Sequence, residues 1–119
     1  MPQTVIPQLR ILRADRSLPF YVDGLGFAVD WEHRFEPGFP LFVQITREGQ
    51  TLFLTEHVDD CEVGGAVYLM VPDVDECHRR FLANGVTADE PPQDTPWDTR
   101  EMLVKDPDGN RLRFATDRG

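Results

Sequence analysis

Cysteine is scarce in this chain: Cys61 and Cys77 are the only two in 119 residues. That is too few for a disulfide scaffold, and the two do not form a C-x-x-C pair. The expectation is two reduced thiols in a cytoplasmic protein. No apolar run approaches the roughly 20 residues that a membrane-spanning helix needs. The opening MPQTVIPQLRILRAD has no basic stretch followed by an apolar stretch and a small-residue cleavage site, so no signal peptide is expected. Positive charge is also in short supply. Lys and Arg total 12 against 21 Asp and Glu, a net charge of −9. This argues against nucleic acid and anionic membranes as partners. It suits a cationic ligand, and equally it suits plain solubility. Neither a Gly-rich phosphate loop nor a nucleophile elbow is present. Ser17 is the only serine, and its place near a helix start reads as a cap. Asp60 and Glu62 flank Cys61 and would raise its pKa, while Cys77 falls on a buried helical stripe. Covalent catalysis therefore finds little support.

What the chain does have is enough apolar residue, 40% with 10% aromatic, to bury one core. Residues 4–12 read as a strand, at an edge or locally irregular because Pro7 cannot donate to a ladder. Asp15 offers an N-cap to a helix that tolerates Pro19 near its first turn and ends at Gly24 and Gly26. A strand over 27–35 would place Phe27, Val29, Trp31, His33 and Phe35 on one face. After the turn EPGFP, residues 41–46 and 51–56 form a hairpin across REGQ.

The pattern then starts again. EVGG, residues 62–65, reads as a hinge, and residues 66–71 as a strand. Asp73 is an N-cap with Glu76 at capping-box spacing, and Val74, Cys77, Phe81 and Leu82 form the apolar stripe of a second helix ended by Asn84-Gly85. A short strand over 86–90, a loop PPQDTP and a hairpin of 100–105 and 111–115 across DPDGN complete the chain. Gly26-Phe27 matches Gly85-Val86, and Leu52 and Leu54 match Leu112 and Phe114. The chain is thus one α+β domain of two βαβββ modules, 4–57 and 65–116, in low-identity repeat. One module cannot bury both faces of its sheet, so two modules or two chains must combine around a shared cleft.

The repeat, the segment from Phe20-Tyr21 to Leu25-Gly26-Phe27, and the turn Asp106-Pro107-Asp108-Gly109-Asn110 resemble the vicinal-oxygen-chelate superfamily. Glyoxalases, extradiol dioxygenases, fosfomycin-resistance enzymes and bleomycin-resistance proteins belong to it. The resemblance covers nearly the whole chain and implies that fold, with a cleft between curved sheets. Pro96-Trp97 and Arg100-Glu101 ahead of DPDGN, with Phe53-Leu54-Thr55-Glu56-His57, are similar to the bleomycin-resistance branch.

Enzymes of the superfamily hold a divalent metal with His and Glu on the first and last strands of each half. Those positions fall here on Ile6, Phe53, Ala66 and Arg113, none of which replaces His or carboxylate as a ligand. The resemblance therefore implies no metal and no other cofactor. Alternation turns Gln8, Arg10, Thr55, Met70, Leu103 and Arg111 toward the cleft with those positions. The ligand-binding candidates are Trp31, Phe35, Phe39, Phe53, His57, Tyr68, Trp97, Arg100 and Arg113. By the resemblance, Trp97 and then Phe35 would hold the planar part of a ligand. His33 faces the cleft or lies at a strand's wet end; His78 belongs to the solvated side of the second helix. The implied function is stoichiometric, metal-independent sequestration of a cationic glycopeptide or similar small molecule, without catalysis, in a homodimer. Two alternatives stay open: a lyase or dioxygenase with an atypical metal site, and a structural domain without a ligand.

Overall fold

The structure, a computed structural model, describes residues 3–119. The first four strands form one sheet in the order β1-β4-β3-β2: β1 (Gln8–Arg10), β2 (Ala28–His33), β3 (Phe42–Arg47) and β4 (Gln50–Thr55). The next four repeat the order as β5-β8-β7-β6: β5 (Ala66–Met70), β6 (Glu90–Asp94), β7 (Thr99–Lys105) and β8 (Arg111–Asp117). In each sheet the first strand pairs parallel with the last, and the other pairs are antiparallel. Helix α1 (Ala14–Pro19) follows β1, and helix α2 (Val74–Ala83) follows β5. The two-module α+β reading thus holds at the level of architecture. No helix among the described residues is long and apolar enough to cross a membrane.

One face of each sheet is apolar by alternation: Val43 and Ile45 with Leu52 and Leu54, and Leu69 with Met102, Val104, Leu112 and Phe114. These faces and the helices enclose a single core shared by both modules. The Arg47 guanidinium from β3 lies 5.6 Å from the Phe81 ring of α2 and 6.0 Å from the Phe114 ring of β8. Its Nε donates to the Leu25 carbonyl at 2.9 Å. A buried cation is thus shared between the halves, within cation–π distance of two rings.

Several local expectations need correction. The first strand is three residues, and it is an edge strand as Pro7 required. Helix α1 begins at Ala14, with Arg13 rather than Asp15 at the N-cap position. Its first amide is satisfied from afar, because Ala14 N donates to Glu56 Oε2 at 2.7 Å while Leu41 N donates to Oε1 at 2.8 Å. Asp15 instead pairs with Arg13, and the Ser17 hydroxyl, far from capping, donates to Asp108 at 2.9 Å. Pro19 ends α1, and the chain widens into a π-helical turn over Phe20–Gly24. Proline has no N–H for the α ladder, so a wider turn carries the chain past it. In the second half, residues 86–89 are not strand. β6 contains Pro91 and Pro92, expected in a loop; a sheet-edge position and a register shift between Glu90 and Gln93 accommodate them. Leu82, expected on the buried stripe of α2, is exposed. Asp73 does cap α2, accepting from Asp75 N at 3.1 Å and Glu76 N at 3.2 Å.

Gly24 lies where the first module packs closely on Val86 of the second. A Cβ there would lie 2.6 Å from Val86 Cγ2. Gly24→Ala is expected to destabilise the protein by about 1–3 kcal/mol through overpacking. Urea unfolding measures this, and an unchanged midpoint would show that the two elements can part at no cost.

Candidate functional site

The faces of the two sheets that turn away from the core carry the chemistry. On the first, the register sets Gln8 opposite Phe53, Phe53 opposite Gln44, and Phe42 opposite Thr55. These residues share one face. The expected alternation along β2 fails at Asp30, where the register shifts between Val29 and Trp31. The extra residue brings Trp31 opposite Gln44 and His33 opposite Phe42. Phe27 and Val29 are left on the other face. Trp31 consequently stacks on Phe42, with centroids 5.9 Å apart and planes at 16°, and it sits 5.9 Å from Phe53. Phe42 and Phe53 are 4.9 Å apart. At the rim His33 meets Phe35 edge-on at 4.9 Å, and Phe35 meets His57 at 6.3 Å. The His57 backbone is fixed by its amide, which donates to Thr55 Oγ1 at 3.0 Å. Phe39 is not part of this cluster. It lines a separate hollow with Arg34 and Glu56, beside the start of α1.

The second face is organised by a residue that the alternation did not single out. Glu101 on β7 is 4% exposed, and its Oε2 accepts from Trp97 Nε1 at 3.0 Å, Thr99 Oγ1 at 2.7 Å, and the Tyr68 hydroxyl. Arg113 Nη1 lies 3.7 Å from Glu101 Oε1 and 3.8 Å from Glu90. Burial pushes the Glu101 carboxyl up, but the three hydrogen bonds and the Arg113 charge outweigh it, and the group stays below the usual glutamate range. The Tyr68 phenol is raised, first by its bond to this carboxylate. A hollow of about 240 Å³ is lined by Trp97, Glu101, Glu90, Asp94 and Arg113. A second, of about 320 Å³, is lined by Tyr68, Leu103, Ala66, Arg111 and Arg113.

The candidates therefore fall into groups. Trp31, Phe35, Phe53 and His57 gather on the first face; Tyr68, Trp97 and Arg113 gather on the second. Arg100 joins neither. It points to the helix side, where it makes paired bonds to Asp75 of α2 at 2.9 and 3.1 Å and a third to Asp94 at 3.1 Å. Adjacent strand residues face opposite ways, so Glu101 and Arg100 could not both serve one face. Phe42 and Glu101 were missed. Phe42 was legible from alternation with Gln44 and Thr46; the role of Glu101 depends on Tyr68, 33 residues away.

The metal positions of the superfamily do not fit a metal here. Phe53 is packed among rings, and Arg113 puts a guanidinium where an acceptor would be needed. Among the described residues no group of three or more His, Cys, Asp and Glu is placed to hold an ion.

Two βαβββ sheets with these outward faces define a known class, and the chain belongs to it: the family model described as glyoxalase superfamily protein matches residues 1–119. The fold is shared with TioX from Micromonospora sp. ML1, at TM-score 0.76 and 23% identity over 96% of this chain and 95% of that one. It is shared with TnmS3, an antibiotic binding protein from Streptomyces sp. CB03234, at TM-score 0.75 and 22% identity over 98% of each chain. A bleomycin-binding protein solved with bleomycin matches at TM-score 0.76 and 22% identity, over 97% of this chain and 98% of that one. Comparison with curated protein sequences yields no match.

Proposed function

We propose that the protein is a metal-independent binder of a small molecule, of the bleomycin-resistance type, that acts by sequestration. The observation that carries this is the pair of unpaired faces. One offers the clustered rings of Trp31, Phe42 and Phe53; the other offers Trp97 and Tyr68 held on Glu101. An apolar and aromatic lining with a few fixed polar groups, closed into a cleft, is the make-up of a small-molecule site. Aromatic rings suit the planar part of such a ligand, and the net charge of −9 suits a cationic one. Each chain uses its inner faces for its own core, so a closed cleft calls for a second chain. The reading is a cytoplasmic homodimer with two clefts, each pairing the first face of one chain with the second face of the other. The free Cys61 and Cys77 are compatible with that compartment.

Titration calorimetry with bleomycin is the test. Binding at micromolar concentration or tighter is expected, at one drug per chain, and sedimentation should give twice the mass of one chain. Absence of heat with bleomycin removes the glycopeptide ligand, and a monomer removes the shared cleft. A stoichiometric transition metal in the purified protein would overturn the metal-independent reading itself.

A further inference from the structure

Trp97 and Tyr68 present a problem of order. Trp97 is 64% exposed and Tyr68 is 52% exposed. Exposed side chains flip between rotamers in picoseconds to nanoseconds unless something holds them. Neither ring packs against another aromatic ring among the described residues, whereas the rings of the first face hold one another. What the two have in common is a single oxygen. The indole N–H and the phenol O–H both end on Glu101 Oε2, and the Thr99 hydroxyl joins them. That oxygen is saturated by three donors, and the carboxylate is buried beneath the rings it holds. A ligand arriving on this face would meet the exposed indole and phenol, while the carboxylate oxygen that holds them is already taken by three donors.

We propose that Glu101 is the positioning residue of the second face: it fixes Trp97 and Tyr68 in one orientation before any ligand arrives. The idea rests on the binding face described above, and it adds how that face is preorganised. Rings already fixed lose little freedom on binding, so the gain appears as affinity over and above any contact of Glu101 itself. Glu101 draws on three parts of the second module at once, β5, the turn before β7, and β7, so the platform depends on the module being folded.

The test is made on the free protein by nitrogen-15 relaxation at the Trp97 indole. In the unsubstituted chain the expected order parameter is near the rigid backbone value of about 0.85, despite the exposure of the ring; a value below about 0.6 overturns the proposal. In Glu101→Met, which removes the acceptor and keeps an unbranched side chain, the value should fall below about 0.6 with the amide spectrum of β1–β4 unchanged. Glu101→Gln keeps a carbonyl acceptor and should lie between the two. A folded Glu101→Met protein whose Trp97 indole stays rigid overturns the proposal. Should that variant not fold, the unsubstituted protein and Glu101→Gln still decide. A merely structural carboxylate would lower the melting temperature of both variants and leave the Trp97 indole rigid while folded. These readings need no ligand, so a failure to bind bleomycin defeats the ligand assignment without touching this inference. Where bleomycin does bind, Glu101→Met should weaken it about tenfold.

Discussion

Asp106→Ala is expected to lower the melting temperature by about 10–20 °C. Asp106 opens the DPDGN turn and is 5% exposed. Its Oδ2 accepts from the Tyr21 hydroxyl at 2.6 Å and from Asn110 Nδ2 at 2.8 Å. Its Oδ1 accepts from the amides of Asp108 at 2.8 Å and Asn110 at 2.9 Å. Tyr21 is fully buried, and its phenol is pushed well above its usual range, first by burial and then by the Asp106 charge. Removing the carboxylate leaves the Tyr21 hydroxyl and the Asn110 backbone amide without an acceptor, away from water, and takes from Asn110 Nδ2 one of its two acceptors. Each buried unsatisfied donor costs about 1–3 kcal/mol, so about 3–5 kcal/mol in total is reasonable against a stability of about 5–15 kcal/mol. The effect spreads because the same turn ties the modules together. Asn110 Oδ1 accepts from Gly64 N and Gly65 N, its Nδ2 donates to the Arg10 carbonyl, and Asp108 receives Ser17 and Arg16. Calorimetry of the variant decides the matter: a drop under about 3 °C would show that the turn is not the clasp between the halves.

Mixing two crippled proteins is expected to restore binding. Trp31→Ala and Trp97→Ala should each weaken ligand binding by about thirtyfold or more, the loss typical of a central aromatic anchor. Under the proposed arrangement one cleft uses Trp31 of one chain and Trp97 of the other. A mixed dimer of the two variants then contains one cleft lacking both tryptophans and one that is intact. Exchanging subunits between the variants and titrating should recover full affinity at one site per mixed dimer. If both tryptophans served a cleft within one chain, every cleft in the mixture would lack one of them and no recovery would occur. That result would sink the shared cleft while leaving the ligand open.

How far the sequence reaches differs from element to element. The repeat was legible because inner-face residues such as Leu52, Leu54, Leu112 and Phe114 obey the two-residue period of a strand. Helix α2 was legible because its cap, Asp73, is adjacent to it in sequence. Helix α1 was misplaced at its start because its cap, Glu56, comes from 42 residues away. The bulge at Asp30 carries no glycine or proline to announce it, and it decides which face Trp31 occupies. Pro91 and Pro92 announced a loop, and only the finished sheet reveals the edge position that lets them be strand. In the candidate site the aromatic residues were found by type and spacing. Glu101 was legible as part of the Arg100-Glu101 motif but not as a site residue, since its role is marked by the three donors that folding brings to it.

The single core has a consequence for what the repeat means. Arg47 of the first module lies on Phe81 and Phe114 of the second, and Gly24 touches Val86. Neither half can keep its interior dry alone. The duplication is a symmetry of the backbone path and not of the energetics, and unfolding should occur in one cooperative step. Sequence change in either half is then constrained by its counterpart, so the halves are free to diverge on their outward faces and bound together within. That is the distribution seen here, with rings gathered on one outward face and a carboxylate-centred cluster on the other.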